Sequence, residues 1–122
     1  MERYKYYHER IRQTFNFIIP PQKSILFVGS LYGKDLVSLS PNIGVGIEPL
    51  ERLFRLAKKR YPKLNFVNTN FEDYRPKRKF DYIVLNGALG KTVDILRLLK
   101  NIQSGCQPWT RILVYQHNHL WQ

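Results

Sequence analysis

Apolar runs and segments of helical periodicity alternate along the whole chain. Runs in which apolar side chains follow one another, rather than alternating with polar ones, are typical of strands that are buried on both faces. The pattern predicts four strands of this kind and a weaker third strand in the chain order, at residues 25–28, 43–47, 65–68, 80–85 and 111–115.

Helices are predicted before and between these strands. Apolar residues recur at helical spacing over residues 4–18, at Tyr7, Ile11, Phe15 and Ile18. The pair Pro20-Pro21 ends this first helix. Further helices are predicted over residues 34–38, 50–61 and 92–103, and Gly105 is expected to be a left-handed cap residue after the last of them.

Strands that alternate with helices predict the α/β class, with an open, mostly parallel, Rossmann-like sheet and right-handed crossovers. We expect about five strands with helices on both faces of the sheet. A length of 122 residues fits a single domain, residues 1–122. Within it, residues 1–21 form an N-terminal helix and a Pro-Pro linker, and residues 22–122 form the core.

Charge and cysteine content change this picture only in part. The net charge is +11, from 20 basic and 9 acidic residues, and such an excess attracts nucleic acid, anionic membranes or acidic substrates. The alternative explanation is a solvated, soluble surface. The charge is concentrated in two clusters: Arg52, Arg55, Lys58, Lys59, Arg60 and Lys63, and Arg75, Lys77, Arg78 and Lys79.

The chain shows no run of about 18 apolar residues, opens with polar residues, and has one cysteine, Cys106. We therefore expect a cytoplasmic protein with no membrane span and no internal disulfide. His117 and His119 alone make a poor metal site, since zinc needs at least three protein ligands. No metal is predicted.

The candidate ligand site lies where the first strand enters a glycine-bearing turn. Gly29 and Gly33 allow a ligand to approach the backbone closely, and Glu48 follows Gly29 by nineteen positions, at the end of the second strand. A carboxylate there can accept hydrogen bonds from both hydroxyl groups of a ribose. The segment therefore predicts a nucleoside-like ligand at the edge of a parallel sheet.

The glycine spacing resembles that of the class I S-adenosylmethionine-dependent methyltransferases. Residues 25–33 (ILFVGSLYG) look like the first motif of this family, and residues 45–49 (VGIEP) resemble the second. Residues 66–72 (FVNTNFE) and 80–86 (FDYIVLN) are similar to the third and fourth. The ending, residues 110–121, looks like the methyltransferase-like segment that precedes a glycosyltransferase module in some bacterial proteins.

This resemblance implies the strand order 3-2-1-4-5, without the last two strands of the family, and S-adenosyl-L-methionine as cofactor. It places Gly29, Ser30 and Gly33 along the methionine moiety and Glu48 on the ribose. The adenine would lie against Pro49 and Leu50, with Asn70, Phe71 and Glu72 at its edge, and Asn86 would line the reaction centre. The resemblance implies methyl transfer by in-line displacement, in which positioning supplies most of the catalysis. The acceptor and any catalytic residue stay unknown.

Three residues depart from the family pattern. Phe27 and Asn70 each stand where the family usually has an acid, and Leu31 replaces the middle glycine of the first motif. Losing an acid removes a charge-assisted hydrogen bond worth about 1.5–3 kcal/mol. The alternative function is therefore a degenerate, non-catalytic interaction module, with nucleic-acid binding through the two basic clusters still open. An exposed edge at the fifth strand would favour a homo-oligomer.

Overall fold

A computed structural model describes residues 15–115. The first described residues, 15–18, are helical, and the rest of the helix predicted over residues 4–18 lies outside the described residues. The strands are β1 (Ser24–Val28), β2 (Ile43–Ile47), β3 (Asn65–Val67), β4 (Phe80–Asn86) and β5 (Cys106–Tyr115). The helices are α1 (Lys34–Ser38), α2 (Glu51–Arg60), α3 (Ala88–Lys91) and α4 (Ile95–Gln103), and Phe71–Asp73 form a 3₁₀ turn.

The five strands form one sheet in the order β3-β2-β1-β4-β5, and every neighbouring pair is parallel. Both the strand order and the parallel pairing are thus confirmed. The chain runs outward from β1 to β3 on one side and then returns to β4 on the other side of β1. The loops that follow β1 and β4 therefore diverge, which opens a crevice at the carboxyl edge of the sheet.

Two hydrophobic clusters cover the two faces of the sheet, which confirms the expected helices on both faces. On the first face, Leu98 and Ile102 of α4 pack with strand residues that include Leu26, Ile83 and Leu85. On the second face, α1 and the residues that precede β1 pack over Phe27 through Leu36, Leu39, Phe15 and Ile19. Because both faces are covered, the strand residues are apolar without alternation.

The last strand differs from the prediction. β5 begins at Cys106, which pairs with Phe80, whereas the pattern predicted a strand only from Arg111. The first part of β5 contains a bulge opposite β4. Because polar residues lie in this bulge, the apolar pattern did not predict a strand there. Gly105 is not a left-handed cap as expected; it lies against Pro76, and an added Cβ would come within 3.0 Å of the Pro76 Cβ.

β5 pairs with β4 on one side only, within the part of the chain that the structure describes. Its side chains Trp109, Ile112 and Val114 are exposed. Among residues 15–115, no helix is long and apolar enough to cross a membrane. Self-association through this edge stays a prediction.

Candidate cofactor site at the carboxyl edge

Four segments meet at the carboxyl edge because all five strands point the same way. They are residues 29–33 after β1, 48–50 after β2, 68–73 after β3, and 86–88 at the end of β4. Every residue that the sequence assigned to the cofactor lies in one of these segments. Backbone and side-chain hydrogen bonds then decide which of them meet.

The loop after β1 uses its own amide groups to hold its shape. The N–H groups of Gly29 and Ser30 both donate to the carbonyl oxygen of Ile47, over 3.0 and 3.1 Å. The N–H of Gly33 donates to the carbonyl of Ser30 over 2.8 Å, and Leu31 between them has a left-handed φ of 52°. The loop is therefore a tight turn fastened to the end of β2.

Both glycines of this loop are required by packing. Gly29 has a φ of 95°, and a Cβ there would lie 2.3 Å from the carbonyl oxygen of Asn86. Gly33 has a φ of 93°, and its Cβ would meet the rings of Phe66 and Tyr61 at 2.8 and 3.0 Å. Since neighbouring protein atoms explain both glycines, the glycines alone do not require a ligand.

The carboxylate of Glu48 joins the tip of β2 to the loop after β1. The side chain is only 3% exposed. Its Oε1 accepts a hydrogen bond from the N–H of Leu31 over 2.9 Å, and its Oε2 accepts one from the N–H of Leu50 over 3.0 Å. Asn68 holds the same corner, because its Nδ2 donates to the carbonyl oxygens of Glu48 and Pro49. Glu48 is thus a buried carboxylate held by two backbone N–H groups.

Asn86, at the end of β4, is hydrogen-bonded to the loop after β1 across the crevice. Its Nδ2 donates to the carbonyl oxygen of Gly29 over 3.1 Å. The next residue, Gly87, has a φ of 68° and faces open space, since an added Cβ there would meet no atom within 4 Å. Between β1 and β4, where the strand order reverses, the site therefore has the side-chain amide of Asn86 and open space beside Gly87.

The side chain of Ser30 points into the protein. It is 2% exposed, and its Oγ has no hydrogen-bond partner. A Cβ added at Gly46 would lie 2.7 Å from this oxygen, so the hydroxyl packs directly over β2. The backbone of Ser30, more than its hydroxyl, is the part that lies in the candidate site.

The residues predicted for the adenine edge lie on the 3₁₀ turn, which faces α4. Phe71 is 6% exposed and belongs to the first hydrophobic cluster. Asn70 donates through Nδ2 to Asp73 over 3.3 Å. Oε2 of Glu72 accepts from the N–H groups of Val93 and Asp94 over 3.2 and 3.3 Å. Packing in the core and hydrogen bonds within the turn and to the start of α4 account for the positions of Asn70, Phe71 and Glu72. The role of these residues beside an adenine stays a prediction.

The pKa of Glu72 is lowered from its ordinary value. The first cause is a hydrogen bond from its own backbone N–H, and the N–H groups of Asp94 and Val93 add to it against the opposing effect of burial. The carboxylate is therefore held in its charged form at the carboxyl edge. A fixed negative charge at this edge creates a field that favours a cationic ligand.

Hydrogen bonds join seven of the predicted residues into one network: Gly29, Ser30, Gly33, Glu48, Pro49, Leu50 and Asn86. Asn70, Phe71 and Glu72 lie apart from it at the 3₁₀ turn. Two contributors were missed: the N–H of Leu31 and the side chain of Asn68. The sequence carried a weak signal for Asn68, a polar residue directly after a strand. It carried none for Leu31, because a backbone group acts there whatever the side chain.

The departures from the family pattern have clear places in the fold. Phe27 is fully buried in the second hydrophobic cluster and contacts Phe15 edge to face, with the ring centroids 6.0 Å apart. Its side chain thus belongs to the core and does not fill the crevice. Leu31 is half-buried, and its backbone conformation serves the turn.

Comparisons with solved structures agree with this architecture. YcgJ of Bacillus subtilis matches with a TM-score of 0.79 and 14% identity, over 90% of this chain and 51% of that one. A TehB-like SAM-dependent methyltransferase from Corynebacterium glutamicum matches with a TM-score of 0.73 and 19% identity, over 84% and 59%. The N-methyltransferase NodS from Bradyrhizobium japonicum, in complex with S-adenosyl-L-homocysteine, matches with a TM-score of 0.67 and 20% identity, over 82% and 57%.

The chain spans about half the length of these structures. No protein-family model matches the sequence, and no curated protein does. At such low identity the likeness establishes the fold. The domain therefore has the Rossmann-like fold of the class I S-adenosylmethionine-dependent methyltransferases, as the sequence motifs predicted.

Proposed function

We propose that the carboxyl edge of this sheet binds S-adenosyl-L-methionine and that the domain positions it for methyl transfer to an acceptor. The observation that carries this proposal is the carboxylate of Glu48, which lies buried at the tip of β2 against the loop after β1. Structural neighbours from Geobacter sulfurreducens and Bradyrhizobium japonicum that hold S-adenosyl-L-homocysteine support it.

The residues at this edge fit the chemical groups of the cofactor. Each carboxylate oxygen of Glu48 has about two acceptor positions, and one on each oxygen is taken by a backbone N–H. The remaining positions suit the two ribose hydroxyls. Because Glu48 is almost fully buried, the turn that carries Leu31 must shift outward to admit the ribose. We infer that binding exchanges or shares the Leu31 hydrogen bond.

The other predicted residues divide the rest of the cofactor. The backbone of Gly29, Ser30 and Gly33 would follow the methionine moiety, and Pro49 and Leu50 would lie on one side of the adenine. Asn70, Phe71 and Glu72 would bound the adenine edge. Asn86 would line the reaction centre, which requires its amide to leave the carbonyl of Gly29 or to serve both groups.

The bound cofactor supplies an electrophilic methyl group, and the protein need only align the acceptor with it. Six of the carboxylates in the described residues follow the ends of strands or begin the helices there: Asp35, Glu48, Glu51, Glu72, Asp73 and Asp94. Their combined field favours a sulfonium cation at this edge. We place the protein in the cytoplasm, as the single cysteine suggests, and we name no acceptor.

Calorimetry with S-adenosyl-L-homocysteine tests the proposal. Wild-type protein should bind one equivalent, and Glu48→Gln should weaken binding by about 10-fold or more, as expected for a lost charge-assisted hydrogen bond. Glu51→Gln is the matched control: this carboxylate belongs to the same edge, but it is exposed and paired with Arg55 on α2, so its loss should leave the affinity nearly unchanged. Equal affinities in all three folded proteins would exclude Glu48 as the ribose ligand.

A second candidate is the non-catalytic interaction module. The observation that favours it is the mutual pairing of the polar groups at the site: Leu31 with Glu48, and Asn86 with Gly29. This candidate predicts no heat with millimolar cofactor and a stable dimer or complex in light scattering. Cofactor binding by a monomer would exclude it.

A further inference from the structure

A row of basic side chains follows the amino edge of the sheet, opposite the candidate cofactor site. α2 ends at this edge with three basic residues in its last turn, and further basic residues immediately precede β1, β3 and β4. The row consists of Lys23, Lys58, Lys59, Arg60, Lys63, Lys77, Arg78 and Lys79. All of them are exposed except Lys23, which is half-buried. The fold thus brings the second half of the first basic cluster and most of the second cluster together along one edge.

Among residues 15–115, acidic side chains leave most of this row without a counter-charge, and the exception is Lys23 beside Asp81. Within residues 15–115, every carboxylate except Asp81 lies toward the carboxyl edge. Asp81 is itself engaged, since its Oδ2 accepts from the N–H and the hydroxyl of Ser24 over 3.1 and 3.0 Å. In the same residues, the ion pairs are Arg55 with Glu51 and Arg97 with Asp73, and neither includes a member of the row.

An exposed tryptophan stands at the end of this row. Between the pairs Phe80–Cys106 and Tyr82–Arg111, β5 has four residues where β4 has one, and the extra residues form a bulge. The hydroxyl of Thr110 holds the bulge, because it accepts from the N–H of Gln107 over 2.7 Å and donates to the carbonyl of Phe80 over 2.6 Å. The bulge turns Trp109 outward, so that this large apolar side chain is 64% exposed.

Trp109 lies close to Asp81, the residue that the bulge faces, and its side chain is one of the groups that lower the pKa of that carboxyl. Lys23 is near enough to act on the same carboxylate. Basic charge and an exposed aromatic ring therefore share the amino ends of β1, β4 and β5. Since neighbouring strands lie about 4.8 Å apart, the edge from β3 to β5 spans roughly 19 Å.

We propose that this edge binds single-stranded nucleic acid, with phosphates along the basic row and a base stacked on Trp109. Proteins that bind single strands without sequence preference combine a basic groove with aromatic rings on which bases stack. A stacking ring favours a single strand over a duplex, whose bases are already stacked. The proposal is independent of the cofactor, which would bind at the opposite edge.

Fluorescence anisotropy with labelled single strands of about 12 nucleotides tests this proposal. If three phosphates are neutralised, affinity should fall about 20-fold between about 50 and 200 mM salt. The triple variant Lys63→Gln, Lys77→Gln, Arg78→Gln should lose most of the binding. The matched control, Lys34→Gln, Arg52→Gln, Lys91→Gln, removes the same charge from exposed positions toward the carboxyl edge and should keep it.

Trp109 provides a second, independent readout. Trp109→Ala should weaken binding at least about fivefold, and Trp109→Phe should restore part of it. Equal loss in both triple variants, no effect of Trp109→Ala, or equal affinity for a duplex of the same length would each overturn the proposal. Binding to phosphatidylserine vesicles in place of the oligonucleotide would overturn it as well.

Discussion

The backbone N–H of Leu31 donates a hydrogen bond to Oε1 of Glu48 over 2.9 Å, which joins the loop after β1 to the tip of β2. Leu31 stands where the family usually has a glycine, and its side chain is not what makes this contact. The carboxylate that the resemblance assigns to a ribose is thus already bound by the protein. We predict that affinity for an adenosine depends on how readily this one contact is exchanged.

Glu48 should contribute to stability without any ligand. In Glu48→Gln the amide nitrogen cannot accept, so the N–H of Leu31 or Leu50 loses its buried acceptor. We expect the free energy of unfolding to fall by roughly 1–3 kcal/mol in urea denaturation. The control Glu51→Gln breaks only the exposed pair with Arg55 and should change it by less than about 0.5 kcal/mol. Equal losses in the two variants would contradict the assigned role of Glu48.

Two glycines with left-handed backbones provide a matched pair. Gly29→Ala should lower the free energy of unfolding by roughly 2–5 kcal/mol, because alanine is strained in the left-handed conformation and its Cβ overlaps the carbonyl oxygen of Asn86. Gly87→Ala should cost only about 1–2 kcal/mol, because its Cβ enters open space. Thermal or urea unfolding of both variants measures the difference. A larger loss at Gly87 than at Gly29 would contradict the packing of the first loop.

Ser30→Ala should stabilise the protein. The hydroxyl is buried without a hydrogen-bond partner, and its removal should raise the free energy of unfolding by roughly 1 kcal/mol. Ser38→Ala is the control, because the Ser38 hydroxyl donates to the carbonyl of Asp35 over 2.7 Å and its loss should destabilise. A loss of stability in Ser30→Ala would show that the hydroxyl has a partner. If the affinity for the cofactor is also unchanged in Ser30→Ala, only the backbone of Ser30 contributes to cofactor binding.

Asp81 should make stability depend on pH. A hydrogen bond from the N–H of Ser24 is the main reason that the pKa of Asp81 lies below its ordinary value. The unfolded chain therefore takes up the proton first, at about pH 4, and the stabilisation is lost as pH falls through the lower folded pKa. Compared with Asp81→Asn, wild type should be more stable at neutral pH, and the difference should shrink below about pH 4. A difference that stays constant down to pH 3 would contradict this.

The sequence predicts well the strands and helices whose buried residues follow a regular pattern. β2 and α1 have the predicted bounds, because an apolar run or a helical period between polar residues defines each of them. The bulge before Arg111 and the helix Ala88–Lys91 were missed, since both depend on how β4 meets its neighbours. Glu48 at a strand tip was predictable from position.

The packing and hydrogen-bond partners of the site residues were not predictable from their positions in the sequence. The need for Gly33 arises from Phe66 and Tyr61, which the fold brings against it from later in the chain. The hydrogen bonds from Asn68 and from the N–H of Leu31 likewise depend on the register between β1, β2 and β3. Spacing along a sequence gives the order of such groups, and only the packed sheet gives their partners.

A nuclear magnetic resonance titration of labelled protein with S-adenosyl-L-homocysteine tests the cofactor site most directly. The amide resonances of Leu31 and Leu50, the two donors to Glu48, should move as the ligand saturates the protein, while that of Lys63 at the opposite edge stays in place. A well-dispersed spectrum in which neither Leu31 nor Leu50 moves at millimolar ligand would contradict the account.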